Sequence, residues 1–142
     1  MWPFTKRQKP TRDDSDFGNI TESKRGSWKG HQFELWGYNG VQVVLDADEN
    51  GPSQAQRSLC RDLRANTADI REHVESEIRR YIPTIPGVMA PSTNPIQLAS
   101  IYLPQDPAKT TWRVWYDLEG EDIFWFGAEI EPSKEIVPFA ED

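Results

Sequence analysis

Two periods of apolar and polar positions divide the chain, and each predicts its own kind of element. Trp28–Leu35 and Val41–Ala47 are rich in aromatic and β-branched residues. Val41, Val43 and Leu45 share one face, as do Phe33 and Leu35, so two strands are predicted. Tyr38-Asn39-Gly40 lies between them. Asn-Gly tolerates the positive φ values that a type I′ turn demands, which predicts a hairpin turning there. From Ser53, the predicted N-cap, the period lengthens. Leu59, Leu63, Ile70, Val74, Ile78 and Tyr81 recur at three-, four- or seven-residue steps and form one helical stripe. Asn66-Thr67-Ala68-Asp69 interrupts it with a sequence like a capping box, giving two helices or one bent helix. Pro83 stops the helix at Tyr81-Ile82, because the residue before a proline is pushed out of the α region.

Pro83, Pro86, Pro91 and Pro95 then exclude a regular element, and a long ordered loop is expected. Leu98–Leu103 reads as a strand closed by Pro104 and Pro107. Thr110–Tyr116 and Ile123–Ile130 read as a second hairpin across residues 117–122. Glu135-Ile136-Val137 adds a short edge piece. The resulting expectation is an α+β fold ordered β-β-α(α)-β-β-β. It is an antiparallel sheet of about five strands with one long or broken helix packed on one face. Residues 1–25, basic and then acidic, read as a mostly flexible arm with Phe17 and Ile20 as its anchors. Residues 26–142 form the single domain.

The length of 142 residues suits one domain that buries a sizeable core without a metal or disulfide staple. No apolar run is long enough to span a bilayer. No apolar stretch of export-signal type follows the basic N-terminal cluster, and the one cysteine, Cys60, is unpaired, so the cytoplasm is the expected compartment. The net charge of −7 is unevenly distributed. Lys6, Arg7, Lys9 and Arg12 stand in an N-terminal stretch without acids, and all 23 acidic side chains follow it. Residues 117–142 hold nine acids against one base, Lys134. Such a body repels phosphate backbones, so no nucleic acid is expected on it, and it attracts a basic partner.

Candidate catalytic chemistry is sparse. His31 and His73 stand in no ligand spacing, Cys60 reads as a small buried hydrophobe, and there is no glycine-rich phosphate loop or nucleophile elbow. No catalytic residue, metal or cofactor is assigned. Asp46-x-Asp48-x-Asn50-Gly51 matches the opening of a calcium loop. The position of the final bidentate Glu is Arg57, however, and the loop follows a strand, so a polar connection using turn chemistry is expected instead.

The unusual feature lies on the sheet. Alternation puts Phe124, Phe126, Ala128 and Ile130 toward the helix, and Ile123, Trp125, Glu129 and Glu131 on the other face. Arg113, Trp115 and Asp117 oppose Trp112, Val114 and Tyr116 in the same way. In the first strand Trp28 and Trp36 alternate with Phe33 and Leu35. One face thus combines tryptophans with carboxylates. It is either covered by the arm or the proline loop, or it is a docking surface with aromatic anchors and an acidic rim.

Trp28-Lys29-Gly30, Val41–Asp46, Pro52-Ser53-x-Ala55-Gln56, the helix to Tyr81 and Trp125-Phe126-Gly127-Ala128-Glu129 together resemble a group of small uncharacterised bacterial domains. Many of these are encoded beside toxins of interbacterial competition and are regarded as immunity proteins. The resemblance spans about residues 26–132 and carries no catalytic residues. It implies a non-catalytic α+β domain that neutralises a cognate, basic toxin by binding it. Contacts are expected from Asp117, Glu119, Glu121 and Asp122 in the second hairpin loop, with Trp115 and Trp125 as anchors beside Glu129 and Glu131. Two other readings stay open. One is a small-ligand or carbohydrate-binding module stacking its ligand on the sheet-face tryptophans. The other is a hydrolase using a carboxylate pair such as Glu129 and Glu131.

Overall fold

In the computed structural model, which describes residues 9–142, every strand pairs with its neighbour in sequence. The strands are β1 (Thr11–Asp14), β2 (Gly18–Lys24), β3 (Ser27–Leu35), β4 (Tyr38–Asp46), β5 (Ile96–Leu103), β6 (Trp112–Leu118), β7 (Trp125–Ile130) and β8 (Ile136–Glu141), in that order across one sheet. All pairs are antiparallel except β4–β5. Between those two strands the chain runs through α1 (Gln54–Ala65) and α2 (Thr67–Tyr81), the crossover that a parallel pair requires.

The expected five-stranded antiparallel sheet with one helix is therefore corrected to a mixed eight-stranded sheet with two helices. Two of the added strands, β1 and β2, come from the stretch read as a flexible arm, whose residues 1–8 lie outside the described residues. Their polar sequence hides the pairing because ion pairs hold much of it. Asp14 accepts two hydrogen bonds from Arg57, at 2.9 and 2.6 Å, and Arg57 also reaches Asp16 at 2.9 Å. Arg61 grips Asp16 with two further contacts at 3.2 Å. Inside this frame Phe17 and Ile20 are fully buried. The third added strand, β8, extends the expected edge piece through Pro138, which an edge strand tolerates.

The first hairpin turns earlier than Asn39-Gly40. Its central residues are Trp36 and Gly37, both at positive φ (56° and 84°), with Leu35 paired to Tyr38. Left-handed backbone at a tryptophan costs about 1–2 kcal/mol. Here it puts the indole into the core, 3% exposed, with Nε1 donating to the Leu63 carbonyl at the end of α1.

Ser53 caps α1 as expected: its hydroxyl accepts from the Gln56 N–H, and the Gln56 side chain accepts from the Ser53 N–H. Gln56 is fully buried, and its Nε2 donates to the carbonyls of Asp46, Leu103 and Pro104 at 2.8, 3.2 and 3.0 Å. One amide thus seals the ends of both parallel strands. At Asn66 the backbone leaves helical geometry (φ −112°, ψ 37°) without a side-chain cap, so the break is a kink between two helices. Cys60, Leu63, Val74, Ile78 and Ile82 pack onto the inward residues of β3–β7 in one hydrophobic cluster. Tyr38 and Tyr116 both donate to Glu75 Oε2, at 3.0 and 2.9 Å, and Arg71 adds a contact at 3.2 Å. Burial, reinforced by the Glu75 charge, pushes the Tyr116 hydroxyl well above the usual phenol pKa. This network pins α2 to the sheet. Among the described residues no helix is long and apolar enough to cross a membrane.

Candidate functional site

Both helices pack on one face of the sheet, so among the described residues the outward positions of β4–β8 lie open. Register arranges them in three rows. Val44, Tyr102, Arg113, Glu129 and Val137 form the first; Gln42, Ser100, Trp115, Gly127 and Phe139 the second; Trp125 and Glu141 pair in the third. Asp117 follows Trp115 by two residues and belongs to that third row. A bulge in β5 inserts Ala99 between the paired residues Leu98 and Ser100. The small side chains there leave room beside Trp115. The result is a cleft of about 460 Å³ bounded by Val44, Ser100, Tyr102, Trp115, Trp125 and the carboxylates of Asp117 and Glu141.

Trp125 is 59% exposed, whereas Trp115 is half-buried because its ring meets Phe139 edge-on. The Trp115 Nε1 donates to Glu141 at 3.4 Å. The Asp117 carboxylate is exposed and makes no hydrogen bond or ion pair among the described residues. Asp46 accepts a short hydrogen bond from Tyr102. Burial first, then that bond and the Asp46 charge, push the Tyr102 hydroxyl up to about 12. Glu129 pairs with Arg113 at 3.3 Å. Among the described residues of β4–β8 this face therefore carries four carboxylates, Asp46, Asp117, Glu129 and Glu141, against Arg113, with the exposed Lys29 of β3 next to Val44 at its edge.

The structure brings Trp115, Trp125 and Asp117 together, and places Glu129 one row from Trp115 and two from Trp125. Glu119 and Asp122 are exposed in the connection from β6 to β7 and do not line the cleft. Glu121 has a different task. Its carboxylate accepts from the N–H groups of Met89, Ala90, Ile123 and Phe124, and so anchors the proline loop. Desolvation alone would raise its pKa, but those four donors hold it below the usual carboxylate range. Glu131 lies past the end of β7, where it accepts from the Thr111 hydroxyl at 2.8 Å. It lines a groove beside the helices, apart from Glu129.

The chain matches no family model, no curated protein and no solved structure.

Trp28 and Trp36 do not join the open face; both are buried in the core, 2% and 3% exposed. Register shifts between Gly30 and Phe33, so Trp28 and Phe33 both point inward despite opposite parity. Glu141, Tyr102, Gln42 and Phe139 escape the sequence reading. Glu141 and Phe139 share parity with Val137, and continuing the alternation past Pro138 would have found them. Several oxygens of the Asp46–Gly51 loop have partners within the protein. Asp48 accepts from the Asn50 N–H at 2.8 Å, Asp46 engages Tyr102, and the Asn50 carbonyl takes the Arg12 guanidinium at 2.7 Å. Burial pushes the Cys60 thiol up to about 11, which suits a packing role. His31 and His73 are exposed.

Proposed function

We propose that the open face of β4–β8 is a docking surface for a basic protein, and that the chain is a non-catalytic inhibitor of a cognate bacterial toxin, acting in the cytoplasm. The observation that carries this reading is Trp125, exposed beside Trp115 and Phe139 on a face that no helix covers among the described residues, where four carboxylates outnumber the cations Arg113 and Lys29. A large aromatic ring at the centre of a polar rim supplies binding energy, and complementary charge speeds association and rejects wrong partners. The overall charge of −7 disfavours nucleic acid on the same surface and favours a basic protein.

The test is co-expression with the product of the adjacent gene. The reading expects a salt-sensitive complex, neutralised toxicity, and loss of both in a Trp125→Ala, Asp117→Lys variant. Full neutralisation by that variant would overturn it. A second reading, a carbohydrate-binding module, is favoured by the cleft itself: its volume of about 460 Å³ falls in the range of small-ligand sites, and Gln42 and Ser100 offer polar groups beside the rings. It expects saturable quenching of tryptophan fluorescence by neutral oligosaccharides and no protein partner.

A further inference from the structure

We propose that the cleft between Trp115 and Trp125 receives one arginine side chain of the partner; this rests on the docking-face reading and names the chemistry at its centre. The walls are apolar and aromatic, from Val44 and the two indoles, and the charge is concentrated at one end, on Asp117 and Glu141. Glu141 stands directly across from Trp125 in the β7–β8 register. Among the described residues its carboxylate accepts one hydrogen bond, the long one from the Trp115 Nε1 at 3.4 Å, which leaves most of its acceptor capacity unused. Asp117 is exposed and unpaired among the described residues. Arg113, the nearest cation along β6, is already paired with Glu129 at 3.3 Å.

This composition discriminates among occupants. An anion would meet two carboxylates. A neutral sugar could stack on the rings but would leave the Asp117 charge uncompensated. A cation satisfies both features, since ring faces attract positive charge and carboxylates complete its hydrogen bonds. Arginine fits better than lysine. Its planar guanidinium stacks on an indole while its fork of N–H groups reaches two carboxylates, and it is more weakly hydrated than an ammonium. The volume of about 460 Å³ exceeds one side chain and leaves space for the flanking peptide.

The experiment titrates the full chain with N-acetyl-arginine amide, its citrulline counterpart (the uncharged isostere), the lysine analogue and maltotriose, following the tryptophan indole signals by NMR. Arginine should shift the Trp115 and Trp125 indoles saturably, with a dissociation constant on the order of millimolar and the core Trp28 and Trp36 signals still. Citrulline should bind at least about tenfold more weakly, and lysine between the two. Asp117→Asn with Glu141→Gln should abolish the arginine shift while the remaining spectrum stays dispersed. The wild-type comparison of arginine with citrulline needs no variant at all. No saturable shift, equal binding of citrulline, or a response to maltotriose instead would overturn the proposal. A chain that neutralises its partner through this face but ignores arginine overturns the inference alone. A cleft that takes arginine in a chain that neutralises nothing overturns only the docking reading.

Discussion

The Trp115 and Phe139 rings meet edge-on above Gly127, with centroids 5.9 Å apart and planes at 78°. Gly127 pairs with Trp115 on one side and Phe139 on the other, so it is the missing side chain that lets the two rings close over β7. A Cβ at that position would run into the Phe139 ring and the Val114 carbonyl. Gly127→Ala should therefore destabilise the fold by about 1–3 kcal/mol, a typical cost of overpacking. Urea unfolding with near-ultraviolet circular dichroism checks this: the midpoint should fall and the aromatic signal should change. An unchanged midpoint would show that the rings relax freely.

Trp36 offers a sharper comparison because its backbone and its side chain pull in opposite directions. Trp36→Ala removes a buried indole but keeps a Cβ at φ 56°, whereas Trp36→Gly removes both the ring and the backbone penalty. Both should lose about 3–5 kcal/mol from the emptied core. The glycine variant should nevertheless be more stable than the alanine variant by about 1 kcal/mol, the reverse of their usual order inside a strand. Denaturation of the two side by side decides it, and the ordinary order would mean that the turn has moved.

Gln56→Leu keeps the bulk of the side chain and removes all of its polar atoms. The carbonyls of Asp46, Leu103 and Pro104 and the N–H of Ser53 then lose their partner at a buried position. A loss of about 3 kcal/mol is expected, since each stranded buried group costs on the order of 1–3 kcal/mol and some will rehydrate. Hydrogen exchange should quicken first in β4 and β5, where they run parallel, before it does so in β7.

Acid should loosen the β1–β2 hairpin before the helices. Burial alone would raise the Asp14 pKa, but the Arg57 guanidinium and the N–H groups of Asp16 and Phe17 outweigh it and hold it below the usual range. A carboxylate with a depressed folded-state pKa contributes stability that is complete above its unfolded value, near 3.9, and is lost as pH falls through the folded value. Protection of β1 and β2 amides should thus be flat from neutrality to about pH 5 and decline below about pH 4. Asp14→Asn should cost about 3 kcal/mol at neutral pH and flatten that acid decline. An identical acid profile in the variant would place the sensitivity elsewhere.

Much of this architecture is local and could be read from residue spacing. The strands from Trp28 to Ile130, the Ser53 cap, the helix limit before Pro83 and the acid excess of residues 117–142 each follow from neighbouring residues. So does the pairing of Trp115 and Asp117 on one face of β6, because alternation along a single strand needs no knowledge of its partners.

Tertiary structure decided what alternation could not. A bulge in β3 reversed parity, turned Trp28 inward and left Trp115 and Trp125 to form the open face. The hairpin turned at Trp36-Gly37, where the buried indole finds the Leu63 carbonyl, distant in sequence. Arg57 and Arg61 made strands out of a polar segment, and four backbone donors claimed Glu121 for the scaffold. Periodicity records which side of its own strand a residue occupies. Hydrogen-bond and ion-pair partners far along the chain determine where the period breaks, and they exist only once the chain has folded.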